Sequence, residues 1–247
     1  MSDTGIDLLL AFADDEHLMG QQHTEWIGVA PFLEEDLAFS SIGQDELGHA
    51  VMLYEHVLAA RGVEATDASV DHLAYRDAED YRSCALAEYV TTDWAEALVR
   101  HWLYDTAEAM RWEQLAHSSD PGLRDLAATA ARDEAFHRRH ADALLDRLLG
   151  DQVARDRIVI ALHALTPLLG SLVTPTSDTD EAIANGLVDG SLADLAAPLA
   201  IKISDRFGVA TPEVAPANSA RTERSEHFAP LMTRMREVLD IDANAVW

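Results

Sequence analysis

The stretch GQDELGHA at residues 43–50 places a glutamate three residues before a histidine, Glu46 and His49. Residues three apart lie on one face of an α-helix, so the carboxylate and the imidazole point to the same side. The stretch RDEAFH repeats the pattern later in the chain with Glu134 and His137. A single Glu-x-x-His motif is weak evidence, because about one is expected by chance at this content of glutamate and histidine. The interpretation therefore depends on what surrounds the two motifs.

Each motif follows another carboxylate at nearly the same distance. Glu16 stands thirty residues before Glu46, and Asp105 stands 29 residues before Glu134. The chain thus repeats one unit, a carboxylate on one helix, a reversal, and Glu-x-x-His on the returning helix. Two such hairpins bring four carboxylates and two histidines to the centre of a four-helix bundle, as in the ferritin-like di-iron and di-manganese proteins. Carboxylate oxygens and imidazole nitrogens favour iron or manganese over a metal that prefers thiolate.

The apolar periodicity predicts an all-α protein, a four-helix bundle with additional C-terminal helices. The bundle helices are predicted at 5–27, 32–61, 93–117 and 121–149. Gly28 and Pro31 are expected to turn the chain after the first helix. Asp120 is expected to cap the fourth helix, with Pro121 at its first position. In every helix the candidate ligands lie on the apolar stripe, where an unpaired charge would be costly.

The remaining segments carry no comparable chemistry. Residues 63–90 are predicted as a loop followed by a short helix from about Asp77. Further helices are predicted at 152–169, 191–207 and 222–239, with a kink or restart at Pro198 and irregular connections at 174–178 and 212–218. We predict a single ferritin-like domain over residues 1–247, with the core bundle at about 5–150 and accessory helices at about 151–247.

Composition limits the classes of partner. Hydrophobic residues make up 48% of the 247 residues, which is typical of a globular protein. The net charge of −26, with Lys202 as the only lysine, excludes nucleic acid and anionic membrane as main partners. No signal peptide and no apolar run long enough to span a bilayer is visible. Cys84 is the only cysteine, so no intramolecular disulfide can form, and we predict a cytoplasmic protein.

Other conspicuous side chains are interpreted as structural. Four histidines near the motifs lack a carboxylate partner that is matched in both hairpins, namely His17, His23, His101 and His140. Histidines in such positions are more often core or surface residues than ligands. The chain contains no Gly-rich phosphate loop, no dinucleotide fingerprint and no serine nucleophile elbow.

Several segments resemble one family, the C-type subunits of bacterial phenylacetyl-CoA epoxidase. They are EWIGVAP at 25–31, EDLA at 35–38, IGQDELGH at 42–49, SEH at 225–227, PLM at 230–232, Met235 and Trp247. The resemblance covers nearly the whole chain. It implies a ferritin-like fold and membership of a multicomponent monooxygenase.

The same resemblance implies partners and a cofactor. In that complex a related A-type subunit holds the di-iron site and oxidises the aromatic ring of phenylacetyl-CoA to an epoxide. A separate reductase supplies electrons from NADPH, and the C-type subunit is the structural partner. The expected assembly is a homodimer or a heterotetramer. The A-type ligand pattern matches this chain at six positions: Glu16, Glu46, His49, Asp105, Glu134 and His137.

Some C-type subunits have lost part of this ligand set, for example at the position of Glu16, whereas this chain retains all six. Two functions therefore stay open, a scaffold that stabilises the catalytic di-iron subunit and an enzyme whose own metals activate dioxygen. In the second, Glu46 and Glu134 would bridge two metals, and the remaining four residues would each bind one. The metals could be iron or manganese, or absent from a scaffold. Iron storage is a third function, against which the flanking sequence argues.

Overall fold

The computed structural model describes residues 1–176, 180–217 and 221–241. Within these ranges the regular elements are helices and no strand is present, which confirms the all-α prediction. Parts of the irregular connections predicted at 174–178 and 212–218 lie outside the described residues, as does Trp247. The predicted division into a core bundle and accessory helices stays a prediction.

Four long helices dominate the fold, and shorter ones surround them. In chain order the helices are α1 (Asp3–Thr24), α2 (Leu33–Ala60), α3 (Asp67–Ala74), α4 (Ala85–Glu88), α5 (Trp94–Ala116), α6 (Pro121–Leu148), α7 (Gln152–Leu165), α8 (Leu169–Leu172), α9 (Asp180–Ala184), α10 (Ala196–Phe207) and α11 (Phe228–Ile241). Short 3₁₀ turns at Thr166–Leu168 and Leu192–Leu195 precede α8 and α10. The long helices α1, α2, α5 and α6 agree with the predicted bundle to within about three residues.

Three of the four bundle helices, α1, α5 and α6, begin where a side chain satisfies free backbone N–H groups of the first turn. Ser2 accepts a hydrogen bond from the N–H of Gly5 at the start of α1. Asp120 accepts bonds from the N–H groups of Gly122 and Leu123, and Pro121 occupies the first position of α6, as predicted. These caps fix the N-terminal ends of three of the four helices that carry candidate ligands, whereas α2 begins without a side-chain cap.

The prediction of a short helix from about Asp77 is wrong. The structure has α3 earlier and α4 later, and Asp77 lies between them. Thr66 and Ser69 form a reciprocal capping box that starts α3, a signal that the sequence interpretation missed. The last predicted helix also begins later, at Phe228, because Ser225 is held in an irregular segment by its N–H bond to Glu88.

Helices α1 and α2 cross at unusually short range. A Cβ atom added to Gly20 would lie 2.9 Å from the backbone oxygen of Gly43, and one added to Gly43 would lie 2.9 Å from the oxygen of Gly20. Glycine is therefore required at the crossing, because both obstacles are backbone atoms. The crossing lies one turn from Glu16 and one turn from Glu46, so it sets how closely these carboxylates approach.

A buried polar layer divides the hydrophobic core. Along α1, one apolar cluster ends at Ala13 and the other begins at Leu18. The four residues between them, 14–17, are polar and buried. Along α6, the clusters are separated in the same way by Glu134 and His137. The apolar clusters above and below this layer hold the four helices at fixed spacing around it.

Candidate di-metal centre

The structure places all six predicted site residues inside the bundle. Their relative exposure is at most 1%, so none lies on a solvated face. One further carboxylate, Glu108 of α5, is equally buried and lies among them. The polar layer therefore contains more carboxylates than the sequence pattern indicated.

The first ligand group joins α1, α2 and α5. Glu16, Glu46, His49 and Glu108 each offer one ligand atom, and these atoms all lie within 4.8 Å of one another. His49 Nδ1 is 3.4 Å from Glu16 Oε2 and 3.8 Å from Glu108 Oε1. One cation at the centre of this group would be within reach of three carboxylates and one imidazole.

The second ligand group joins α2 and α6. Glu46, Glu134 and His137 offer ligand atoms within 4.8 Å of one another. His137 Nδ1 lies 3.3 Å from Glu134 Oε1 and 4.0 Å from Glu46 Oε1. Glu46 belongs to both groups, which is the position that a bridging carboxylate requires.

Asp105 lies in neither group. Its Oδ2 is 3.0 Å from Nδ1 of His101, one turn earlier on α5. The prediction that Asp105 is a ligand therefore stays a prediction, and the structure brings the other five predicted residues together without it. Glu108, three residues after Asp105, takes the position beside Glu16 and His49. The signal that could have identified Glu108 is this spacing of three on the same apolar face of α5.

The two candidate ligand histidines each contact a carboxylate of the opposite hairpin. His49 Nε2 contacts Oδ2 of Asp133 at 3.3 Å, and His137 Nε2 contacts Oδ2 of Asp45 at 3.2 Å. Each aspartate immediately precedes the glutamate of the other Glu-x-x-His motif. An aspartate that accepts a hydrogen bond from Nε2–H leaves Nδ1 free to bind a metal, as outer carboxylates do in metalloproteins. Sequence reasoning missed this role for Asp45 and Asp133.

Burial and mutual repulsion shift the pKa values of the central carboxylates. Burial and the neighbouring charge of Glu108 raise the pKa of Glu16 to about 8. Burial, followed by the charge of Glu108, also raises the pKa values of Glu46 and Glu134 well above the usual range. Burial favours the neutral ring of His49, but contacts with Glu108 and Glu16 outweigh it and raise its pKa to about 11. Divalent cations would replace the protons that this crowding retains.

Buried nitrogen and oxygen atoms without a hydrogen-bond partner indicate whether metal ions fit the two groups. Buried polar groups are normally hydrogen-bonded, yet atoms facing the centre have no hydrogen-bond partner among the described residues. They are Glu16 Oε2, both carboxylate oxygens of Glu46 and Glu134, Glu108 Oε2, and Nδ1 of His49 and His137. Oxygen and imidazole donors without partners, converging on two points, fit two cations of the iron or manganese type. The residues therefore match the implied di-metal group.

Comparison with known proteins supplies the family. The model of the phenylacetic acid catabolic protein family matches residues 1–247, the whole chain. The chain belongs to this family. It is 26% identical to the C-type subunit of the 1,2-phenylacetyl-CoA epoxidase of Escherichia coli (strain K12), over 96% of this chain and 97% of that relative. The resemblance inferred from the sequence is thus confirmed.

Hydrogen-bond donors of α5 contact the polar layer. The hydroxyl of Tyr104 donates to Glu16 Oε1 at 2.9 Å, and Nε1 of Trp112 donates to Glu108 Oε1 at 2.7 Å. Arg111 Nη1 donates to Asp15 Oδ2 at 2.6 Å, while its Nη2 lies 3.7 Å from Glu16 Oε1. These contacts hold one carboxylate oxygen of Glu16 and one of Glu108, and the other oxygen of each has no hydrogen-bond partner among the described residues.

A histidine cluster lies beside Asp105. His23 and His101 are completely buried, with ring centroids 5.0 Å apart, and the ring of His140 is 5.7 Å from that of His101. His140 Nε2 contacts Glu35 Oε2 at 2.8 Å near the surface. The three rings pack around Phe39 and lie in neither ligand group, in agreement with their interpretation as core or surface residues.

Proposed function

We propose that this chain is a subunit of a multicomponent oxygenase that acts on phenylacetyl-CoA or a closely related aromatic acyl-CoA, and that it holds a di-metal carboxylate centre. The family membership and the similarity to an epoxidase subunit support the first half. One observation carries the second half: two ligand groups share Glu46, and their inward atoms lack hydrogen-bond partners.

In this proposal Glu16, Glu46, His49 and Glu108 hold one metal ion, and Glu46, Glu134 and His137 hold the other. Bound iron would supply the activation of dioxygen, with electrons from NADPH through a separate reductase. The protein excludes water by burial, fixes the histidine rings through Asp45 and Asp133, and holds Glu16 through Tyr104. These contacts would hold the ligand side chains in place around bound metal ions.

The partners follow from charge and from the same proposal. A CoA thioester carries several negative charges, and a chain of net charge −26 with one lysine is a poor place to hold it alone. We therefore expect an A-type subunit to provide most of the basic contacts to CoA, in a heterotetramer or a related assembly. None of the described helices is both long and apolar enough to cross a membrane. We expect the complex to work in the cytoplasm.

A second candidate function is a scaffold without metal. The observation that favours it is the density of internal partners around the ligands, because Tyr104, Arg111 and Trp112 already contact Glu16 or Glu108. In that case the crowded carboxylates would stay protonated or pair with His49. The chain would then stabilise the catalytic A-type subunit and contribute no redox chemistry.

Reconstitution with the A-type subunit and the reductase separates the two candidates. The key variant is Glu46→Gln, which removes the shared ligand but keeps its size, with Glu55→Gln on the exposed side of the same helix as control. Size-exclusion chromatography would verify that both variants still enter the complex. The proposal expects phenylacetyl-CoA oxidation to be lost with Glu46→Gln and retained with Glu55→Gln. Full oxidation by the Glu46→Gln complex would instead support the scaffold.

A further inference from the structure

The outer face of α2 carries an uncharged stripe of exposed residues. From Leu37 to Val51, the exposed positions of α2 follow the spacing four, three, four, three. They form what we call the α2 seam, namely Leu37, Ser41, Gln44, Gly48 and Val51. This is the heptad spacing with which one helix packs along another. None of the five residues is charged, although 25% of the chain is.

Exposed apolar side chains extend the α2 seam at its N-terminal end. Leu33 is 70% exposed, one turn before Leu37, which is 65% exposed. The preceding connection adds Ile27, Val29 and Phe32, each at least 45% exposed. Isolated exposed apolar residues are ordinary, but a continuous group of this kind marks an interaction surface. The seam itself spans about 21 Å, from the rise of about 1.5 Å per helical residue.

The α2 seam has room for close helix packing. A Cβ atom added to Gly48 would meet no atom within 4 Å, so the helix surface is open there. Ser41 and Gly48 are small and lie one heptad apart, between the larger Leu37 and Val51. Small residues alternating with larger ones provide the holes into which the side chains of a second helix insert. The occupant that fits this surface is therefore an α-helix.

The charge of α2 indicates whether the docked helix belongs to a second copy of this chain or to a different protein. Helix α2 carries no lysine or arginine, and its carboxylates outside the core are Glu34, Asp36, Asp45 and Glu55. A second copy packed seam to seam would place acidic helix flanks against acidic flanks, between two chains of net charge −26. A helix flanked by arginine or lysine would be attracted to the same surface.

We propose that the α2 seam docks a helix of a different subunit of the same complex, with small or apolar residues along its centre and basic residues along its flanks. This inference rests on the proposed function, because it takes the A-type subunit as the partner. The inner face of α2 supplies Asp45, Glu46 and His49 to the polar layer. The partner would therefore contact the one helix that contributes to both ligand groups.

Two substitutions test the α2 seam without disturbing the core. Gly48→Gln fills the open position, and Val51→Arg places a charge in the seam. Ile201→Arg on α10 is the control, because it adds the same charge at an exposed apolar position away from α2. The dissociation constant for the purified A-type subunit would be measured by calorimetry. Light scattering would give the oligomeric state of this chain alone, and melting temperature and metal content would verify the fold.

We expect both seam variants to raise the dissociation constant by about tenfold or more, and the control to leave it unchanged. The melting temperature should not fall, since Gly48 lies in a helix and is exposed. If the seam variants bind the A-type subunit as tightly as the wild type does, the α2 seam is not the docking site, and the proposed complex is unaffected. A wild-type dimer that the seam variants dissociate would show that a second copy is the occupant and would overturn the choice of partner. Absence of wild-type binding would overturn both this inference and the proposed complex.

Discussion

The two helical hairpins carry the same ligand pattern but support their first carboxylate differently. In the first hairpin, α1 and α2, Glu16 accepts a hydrogen bond from Tyr104 and follows Asp15, which Arg111 and Arg221 bind. In the second hairpin, α5 and α6, Asp105 contacts only His101 among the ion pairs of the described residues. Matched spacing thus determines which helices meet, whereas contacts from distant parts of the chain determine how each carboxylate is held.

The contrast extends to protonation. Burial would raise the pKa of Asp15, but Arg221 and Arg111 outweigh it and lower the pKa below the usual range. Burial raises the pKa of Asp105 well above the usual range, even though His137 opposes the shift. Asp15 is therefore a charged member of a buried ion-pair network. Burial thus favours the protonated form of Asp105 in the metal-free protein.

The largest expected effect is on the stability of the metal-free protein. Asp15→Asn leaves Arg111 and Arg221 buried without their counter-charge, which should lower the free energy of unfolding by about 3–5 kcal/mol. Asp105→Asn replaces a carboxyl group whose protonated form burial favours by a neutral amide of the same size, and it should change the free energy of unfolding by less than about 1 kcal/mol. Urea denaturation of both variants, freed of metal, measures the difference. Equal losses of unfolding free energy in the two variants would show that Asp15 and Asp105 do not differ in their ionic support.

A second comparison concerns which residue of α5 binds metal. If the arrangement in the structure is the binding arrangement, Glu108→Gln should remove the metal of the first group, and Asp105→Asn should leave both metals bound. Manganese retained after desalting, measured by mass spectrometry, gives the stoichiometry of each variant. The opposite result, loss with Asp105→Asn and retention with Glu108→Gln, would restore the assignment made from sequence spacing.

The third comparison sets two glycines of α2 against each other. Gly43→Ala forces a methyl group against the backbone of α1 and should destabilise the protein by about 1–3 kcal/mol. Gly48→Ala adds the same methyl group in open space and should stabilise it by about 0.5–1 kcal/mol through helix propensity. Thermal unfolding distinguishes the two, and a harmless Gly43→Ala would mean that the close helix crossing does not constrain the first hairpin.

The last comparison is the pH dependence of the metal-free protein with that of the metal-bound protein. The pKa of Glu16 is raised from 4.5 to about 8, so the folded state binds this proton more tightly than the unfolded state does. Its contribution to stability is complete below about pH 4.5 and is lost as the pH rises toward 8. The melting temperature should therefore fall across this range, and bound metal should suppress the fall. A melting temperature that rises with pH in the metal-free protein would contradict the shift.

The sequence was sufficient for the parts of the structure that depend on local pattern. Apolar periodicity and caps such as Asp120 with Pro121 predicted the bundle helices, because helix formation and burial follow the residues themselves. The Glu-x-x-His spacing predicted which helix faces meet. Glu108 was not predicted from the sequence, because Asp105 one turn earlier offered a better match to the spacing in the first hairpin. The contacts of Asp45 and Asp133 join residues more than eighty positions apart and left no local signal.

The central claim is that the polar layer binds two metal ions, with Glu46 shared between them. The most direct test is anaerobic titration of the purified, metal-free chain with Fe(II), followed by desalting and mass spectrometric analysis of bound iron. The account predicts two ions per chain for the wild type and for Glu55→Gln, and nearly none for Glu46→Gln. A wild-type chain that retains no iron, or a Glu46→Gln variant that retains as much as the wild type, would contradict it.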